Sequence, residues 1–535
     1  MKFRIAVGMM LTVSFSRGDD PPKTNASGAA WRQGFFQSPE APGAVRSDQD
    51  SRLVNLDVVA VDNHGEPIAD LAATDFEVTD GGKRQTIAFF RHNDSKLWRT
   101  PTLAANEFSN RGGPRTTRAT LILFDLLNES FSTRGVAWNQ LVHNLETLES
   151  ADALYLYILT LDGRLYTVHG FESEEGEADQ AKGAPWTREI KPLMDRAMRT
   201  VMRVRPVDID VAMRVQLTYS ALDMLAVQMS RVPGRKNIVW VTDGIPIELG
   251  PNRSDTGDFA DFTQELRQLS EHLDLSGVAV YPVGQIMLGS SDTVGSNSRD
   301  SAAGPMTGGT AGASSAETLN EVAALTGGRP NSGKDIGAAV KQAMIDVRTS
   351  YQIGYYVPLN NWNGKFHKIK VKCARKAARI QAQSGYYAWP GPPDAEANQA
   401  IKTAVSTTFD AAEIGLHGSL TMDPSGGGKA RFEARIDAGD IVLASEGDQF
   451  SGQLRVAMIG YLGGNLMQRS PVVSLDLQYT AAQREQVLKD GIAFTRDLVL
   501  DKDMTKIRLI VCDGGSNAIG SLTIPIQRAS PAPAH

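Results

Sequence analysis

The sequence predicts an α/β protein with a doubly wound, mostly parallel sheet, small antiparallel β units beside it, and a C-terminal β-sandwich of immunoglobulin-like type. Three observations predict this. Four apolar runs lack any polar alternation: Thr120 to Phe124, Ala153 to Thr160, Asn237 to Thr242 and Gly277 to Val283. Strands that are apolar on both faces belong to parallel sheets covered by helices. Helical stripes lie between these runs, and short alternating runs at regular spacing fill the last third of the chain.

The elements follow in order. Val54, Leu56, Val58 and Ala60 alternate with Asn55 and Asp57 in a first strand, and Asp62-Asn63-His64-Gly65 makes a turn. Asp80-Gly81-Gly82, set between Phe76 to Thr79 and Gln85 to Phe90, is a hairpin signal. These residues define a small β unit over 51–93, too short to stand alone. A polar linker follows, and the α/β unit is expected over 117–358. Its helices carry apolar stripes at Val136, Leu141, Val142, Leu145 and Leu148, at Val215, Leu222, Leu225 and Met229, and at Leu266, Leu269 and Leu273. Asp162-Gly163 turns the second run back into an antiparallel edge strand, Arg164 to His169.

Residues 286–315 are almost entirely small and polar and read as a flexible insertion. Two helices follow, the second starting after the N-cap candidate Asp335, and Tyr351 to Val357 is the last strand of the unit. Phe366 to Cys373 and Ile380 to Tyr387 form a β hairpin within 359–390. The sandwich is expected over 393–530, from Gly418 to Met422 through Ser521 to Ile526, with turns such as Pro424-Ser425-Gly426 between its strands.

Composition narrows the function. The chain has 535 residues, room for roughly three domains. With 41% hydrophobic and 22% charged residues it can bury a core. The net charge of −6 and the lack of a basic run argue against nucleic acid as a partner. Lys2 and Arg4 precede an apolar stretch from Ile5 to Phe15, which has the length of a secretion signal rather than a membrane span. Residues 1–18 are therefore read as an export signal, with a buried N-terminal strand as the alternative, and 19–50 as a disordered leader. The expected location is secreted or periplasmic, with no transmembrane segment. Cys373 and Cys512 are too few and too far apart for a disulfide framework and read as two free thiols.

Two carboxylates carry the candidate chemistry. Ligands of open α/β sheets bind beyond the carboxyl ends of strands. Asp125 ends one strand and Asp243 another, and Asn128 and Ser130 follow Asp125 closely. Hard oxygens gathered there suit Mg²⁺ or another divalent cation. The alternative is that both Asp residues cap helix N-termini and satisfy loop amides. Gly328 to Lys334 fits the glycine and lysine spacing of a phosphate loop, but Asp335 stands where Ser or Thr would hold Mg²⁺, so a capping turn is the better reading. There is no G-x-S-x-G and no H-E-x-x-H, and an enzyme is not expected.

At this point the chain resembles the von Willebrand factor A-related proteins, in particular an exported bacterial group. The resemblance rests on Asn55 to Phe90, Asp125-Leu126-Leu127-Asn128, Gly234 to Ile238, Thr242-Asp243-Gly244, Tyr351 to Tyr356, Lys365 to Val371 and Ser384 to Tyr387. It implies an A-type domain and binding of a protein ligand through a metal-ion-dependent adhesion site. In that site Asp125 matches the first Asp and Asp243 the distal one. Leu127 and Glu129 stand where the family has Ser, with Asn128 and Ser130 one residue off. Asp208 and Asp210 stand where a Thr-bearing loop would be. The implied function is adhesion-type binding; the alternative is a metal-free structural or assembly scaffold of the cell envelope.

Overall fold

A computed structural model describes residues 51–94, 103–104, 106–111, 118–128, 131–148, 153–171, 186–203, 209–244, 263–284, 310–329, 335–390, 395–424, 427–462 and 467–526. The expected export signal and leader, Ser130, and all of the 286–315 insertion up to Gly309 lie outside the described residues.

The chain opens with β1 (Ser51–Val61), β2 (Phe76–Asp80), β3 (Lys83–Gln85) and β4 (Phe89–Asp94). A two-residue strand, β5 (Phe108–Ser109), follows in the linker. The central segment runs β6 (Ala119–Asp125), α1 (Phe131–Glu146), β7 (Leu154–Leu159), β8 (Leu165–His169), α2 (Ile190–Val201), α3 (Val211–Met229), β9 (Lys236–Val241), α4 (Thr263–Leu275), β10 (Val278–Val283), α5 (Thr310–Leu325) and α6 (Ile336–Asp346). Then come β11 (Thr349–Pro358), β12 (Phe366–Cys373), β13 (Arg379–Gln381), β14 (Gly385–Tyr387) and α7 (Ala395–Ser406). The last segment holds β15 (Leu416–Met422), β16 (Lys429–Ile436), β17 (Ala444–Glu446), β18 (Gln449–Leu462), β19 (Met467–Arg469), β20 (Val473–Thr480), α8 (Ala481–Asp490), β21 (Ile492–Val499), β22 (Met504–Asp513) and β23 (Ile519–Pro525).

The fold class expected from the sequence is corrected here. Parallel pairing occurs in one sheet only, of order β10-β9-β6-β7-β8, and even there β8 runs antiparallel to β7. The other four described sheets are antiparallel throughout. The molecule is a mixed α/β chain dominated by antiparallel sheets, not a doubly wound, Rossmann-like protein of von Willebrand A type. The apolar runs misled because they mark four strands of one sheet, whereas the half-buried alternating strands are far more numerous.

The mixed sheet is covered on both faces. Leu121, Leu123, Ile238 and Trp240 pack with α3, α4 and α5, and Ile122, Phe124, Val239 and Val241 with α1, α2 and α6. The free edge of β10 is covered by the segment after α5: the Thr326 hydroxyl accepts from Val280 N at 3.0 Å, and a Cβ on Gly328 would lie 1.8 Å from Val280 O, so only glycine fits there.

Two expectations about the β segments also change. Tyr351 to Val357, expected beside the parallel strands, pairs with β1 and β4. The segment after it is not one local hairpin: β12 pairs with β14 and β2, while β13 pairs with β1. A shared core of Val54, Leu56, Val58, Val78, Tyr351, Ile353 and Tyr355 results, built from both ends of the central segment. The C-terminal strands form two antiparallel sheets, β21-β16-β15-β5 and β17-β18-β22-β23 with β19 and β20 beside β18, around one core. This pair of sheets recruits β5 from far outside 393–530 and carries α7 and α8, so it departs from the immunoglobulin-like unit expected.

Buried polar contacts join these layers. Lys236, fully buried, places Nζ 2.8 Å from Glu413 Oε1, and Glu413 Oε2 accepts from Ile519 N at 3.2 Å. Asn110 donates to the carbonyls of Ala411 and Ile414 and accepts from Leu416 N, which straps the linker to the C-terminal sheets. No helix among the described residues is long and apolar enough to cross a membrane.

Candidate functional site

Asp125 sits at the end of β6, a strand buried along its whole length. The chain turns immediately: Leu126 N still donates to Leu159 O, and Asn128 N donates to Asp125 Oδ1 at 3.0 Å. That contact is the local turn an Asp side chain makes with the backbone three residues on. Asp125 Oδ2 accepts from Asn128 Nδ2 at 2.8 Å, Trp240 Nε1 at 2.9 Å and Thr242 Oγ1 at 3.1 Å. Asn128 Nδ2 reaches a second acceptor, Thr218 Oγ1 on α3, also at 2.8 Å. Thr242 Oγ1 accepts in turn from Gly244 N at 3.0 Å. The site thus ties β6, α3, β9 and the loop after β9 into one network.

The electrostatics are those of an enclosed carboxylate. Asp125 is fully buried, and burial raises its carboxyl above the usual range against the opposing pull of the hydrogen bonds from Asn128, Trp240 and Thr242. A carboxylate offers about four lone-pair directions. Three donors, Asn128 Nδ2, Trp240 Nε1 and Thr242 Oγ1, crowd Oδ2, while Oδ1 accepts from Asn128 N. A divalent cation needs carboxylate oxygens with free lone pairs and room for several further oxygens. Around Asp125 an indole, an amide and a hydroxyl take up Oδ2, while Asn128 Oδ1 is buried without a hydrogen-bond donor among the described residues.

Of the expected site residues, the structure brings Asp125 and Asn128 together. Asp243 is half-buried in the loop beyond β9, and it is Thr242, not Asp243, that bonds to Asp125. Ser130 lies outside the described residues. Among the described residues no group of three or more His, Cys, Asp or Glu side chains is arranged to hold a metal ion.

Trp240 and Thr218 were not anticipated. Their signal was present: a Trp N–H inside an apolar strand needs an acceptor, and a Thr on an apolar helix stripe needs a partner. Two histidines interact with their surroundings: His272 has Nδ1 2.8 Å from Asp223 Oδ1, and this contact raises its pKa. His169 stacks on Trp186 with centroids 4.2 Å apart, and burial lowers its pKa. Asp335 caps α6 as expected, accepting from Ala338 N at 3.0 Å.

No protein-family model and no curated protein matches this chain.

Proposed function

We propose that this chain is an exported, metal-independent binding scaffold of the cell envelope, in which the network around Asp125 fixes structure rather than holding a cation. The observation that carries the reading is the set of three protein donors gathered on Asp125 Oδ2, with Asn128 N on Oδ1. The basic and apolar N-terminal stretch supports export. The interleaved chain path supports a rigid platform: the strands on either side of the central segment share sheets, and the linker joins the C-terminal sheets.

The test is cross-linking of the tagged full chain in intact bacteria, followed by fractionation, with Mg²⁺ or with EDTA. The proposal expects the chain in the envelope or periplasmic fraction and the same cross-linked protein bands in both conditions. Retention in the cytosol would overturn export, and loss of the bands in EDTA would overturn metal independence.

A further inference from the structure

A cavity of about 160 Å³ lies where the β1 sheet, the mixed sheet and the C-terminal sheets meet, remote from Asp125 in the chain's layout and independent of the reading above. A water needs about 10–15 Å³ of such space, so the cavity holds on the order of ten waters, or a ligand of about as many heavy atoms. Sites of this kind between units are where small ligands commonly bind.

The walls are built for hydrogen bonding. Asn55 and Asp57 stand two apart on β1 and so share a face, with Gln352 and Arg91 beside Asp57 on β11 and β4. Asp57 makes no hydrogen bond or ion pair among the described residues and faces the cavity. Gln383, only 5% exposed, lines the cavity with its side-chain amide likewise uncommitted among the described residues. Asn55 Nδ2 donates to Gly515 O at 3.1 Å, but its Oδ1 is buried without a donor. Buried polar atoms are normally paired, and the orphaned Asn55 Oδ1 beside the uncommitted Asp57 and Gln383 side chains points to a partner that enters the cavity.

Charge and shape narrow that partner. Asp57, Glu271, Asp274 and Glu413 line the cavity, and the cations near them are already committed: Arg91 to Gln352 Oε1 and Gly439 O, Arg235 to Gly327 O, and Lys236 to Glu413 itself. Anions are therefore disfavoured. Tyr386 and Trp389 close one side with ring surface, beside Trp362, whose ring lies 5.5 Å from that of Tyr386 and carries the Arg52 guanidinium 3.8 Å over one face. Planar amides and carboxylates that can each grip a pair of hydroxyls, beside aromatic rings that can cover a face of C–H groups, suit a polyhydroxyl ring. We infer that this cavity binds a neutral or amino-bearing sugar of monosaccharide size.

The test is saturation-transfer NMR with the full chain and three probes: glucose, glucosamine and glucose 6-phosphate. Glucose and glucosamine saturate at about millimolar concentration, and the phosphate ester binds at least about tenfold more weakly. Gln383→Leu weakens both sugars by about tenfold or more, because a buried hydroxyl partner is lost. Asp57→Asn, which changes no volume and keeps the test open should Gln383→Leu fail to fold, weakens glucosamine more than glucose. Absence of saturable binding by either sugar overturns the inference. So does undiminished binding in folded Gln383→Leu, or an unchanged glucosamine preference in Asp57→Asn.

Discussion

At the scale of single residues, Asp125 is a keystone whose removal strands its donors. Asp125→Ala leaves Asn128 Nδ2, Trp240 Nε1 and Thr242 Oγ1 facing a buried void. The expected loss is about 3–5 kcal/mol, read from urea unfolding. Trp240→Phe removes a single donor and is expected to cost about 1–3 kcal/mol. The buried carboxylates also set a pH dependence. Asp513, fully buried, is pushed up to about 6 by desolvation, against bonds from Ser516 and Val442 N. A carboxyl raised in the fold binds its proton more tightly there than in the unfolded chain, so its contribution grows as pH falls through about 6 toward about 4. Burial raises Asp125 and Asp57 as well, with the same sign. His272, raised by Asp223, adds stability that is present at low pH and lost as pH rises through its folded pKa. His169, lowered by burial, acts the opposite way, losing stability on acidification. The Asp513 carboxyl, titrating within this window, sets the expectation that thermal unfolding comes at a higher temperature at pH 5.5 than at pH 7.5. Asp513→Asn should flatten that difference. A lower midpoint at pH 5.5 would contradict this assignment.

At the scale of elements, much was legible where the signal is local. Val211–Met229 stands where its stripe and preceding Asp210 indicate, with Asp210 accepting from Met213 N at 2.7 Å. Asp335→Ala removes the corresponding bond of α6 and is expected to cost about 1 kcal/mol in unfolding free energy. Three helices went unseen, Ile190–Val201 among them although Ile190, Met194, Ala197 and Val201 make a buried stripe, and the other two for different reasons. Ala481–Asp490 buries none of its residues, so no stripe marks it, although Thr480 and Gln483 form a capping box that the sequence displays. Ala395–Ser406 is rich in alanine and buries Ala397, Ile401, Ala404 and Val405 against β22, a face too weakly apolar to stand out. Strand partners were not legible at all. Nothing near Tyr351 says that it pairs with Val58 rather than with a parallel neighbour, because pairing across 293 positions leaves no mark in local pattern. Asp125 itself was legible as a strand-ending carboxylate, but whether its oxygens face a cation or an indole depends on Trp240, more than a hundred residues away.

At the scale of the whole molecule, the chain leaves and re-enters its sheets. β1 to β4 wait for β11 to β14, and β5 reaches the C-terminal sheets before the central segment begins. Domains so interleaved should unfold together. Far-ultraviolet circular dichroism and Trp fluorescence are expected to report one coincident urea transition, and separated transitions would contradict the interleaving. Glu413→Ala leaves the buried Lys236 ammonium without its carboxylate and is expected to cost about 3–5 kcal/mol while keeping the transition single. The central claim, that Asp125 is structural and the scaffold works without metal, is tested most directly by thermal unfolding of the full chain. The chain would be stripped with EDTA and then titrated with Mg²⁺, Mn²⁺ and Ca²⁺, beside Asp125→Asn. The account predicts the same midpoint with and without each ion. A saturable rise with any of them that disappears in Asp125→Asn would contradict it.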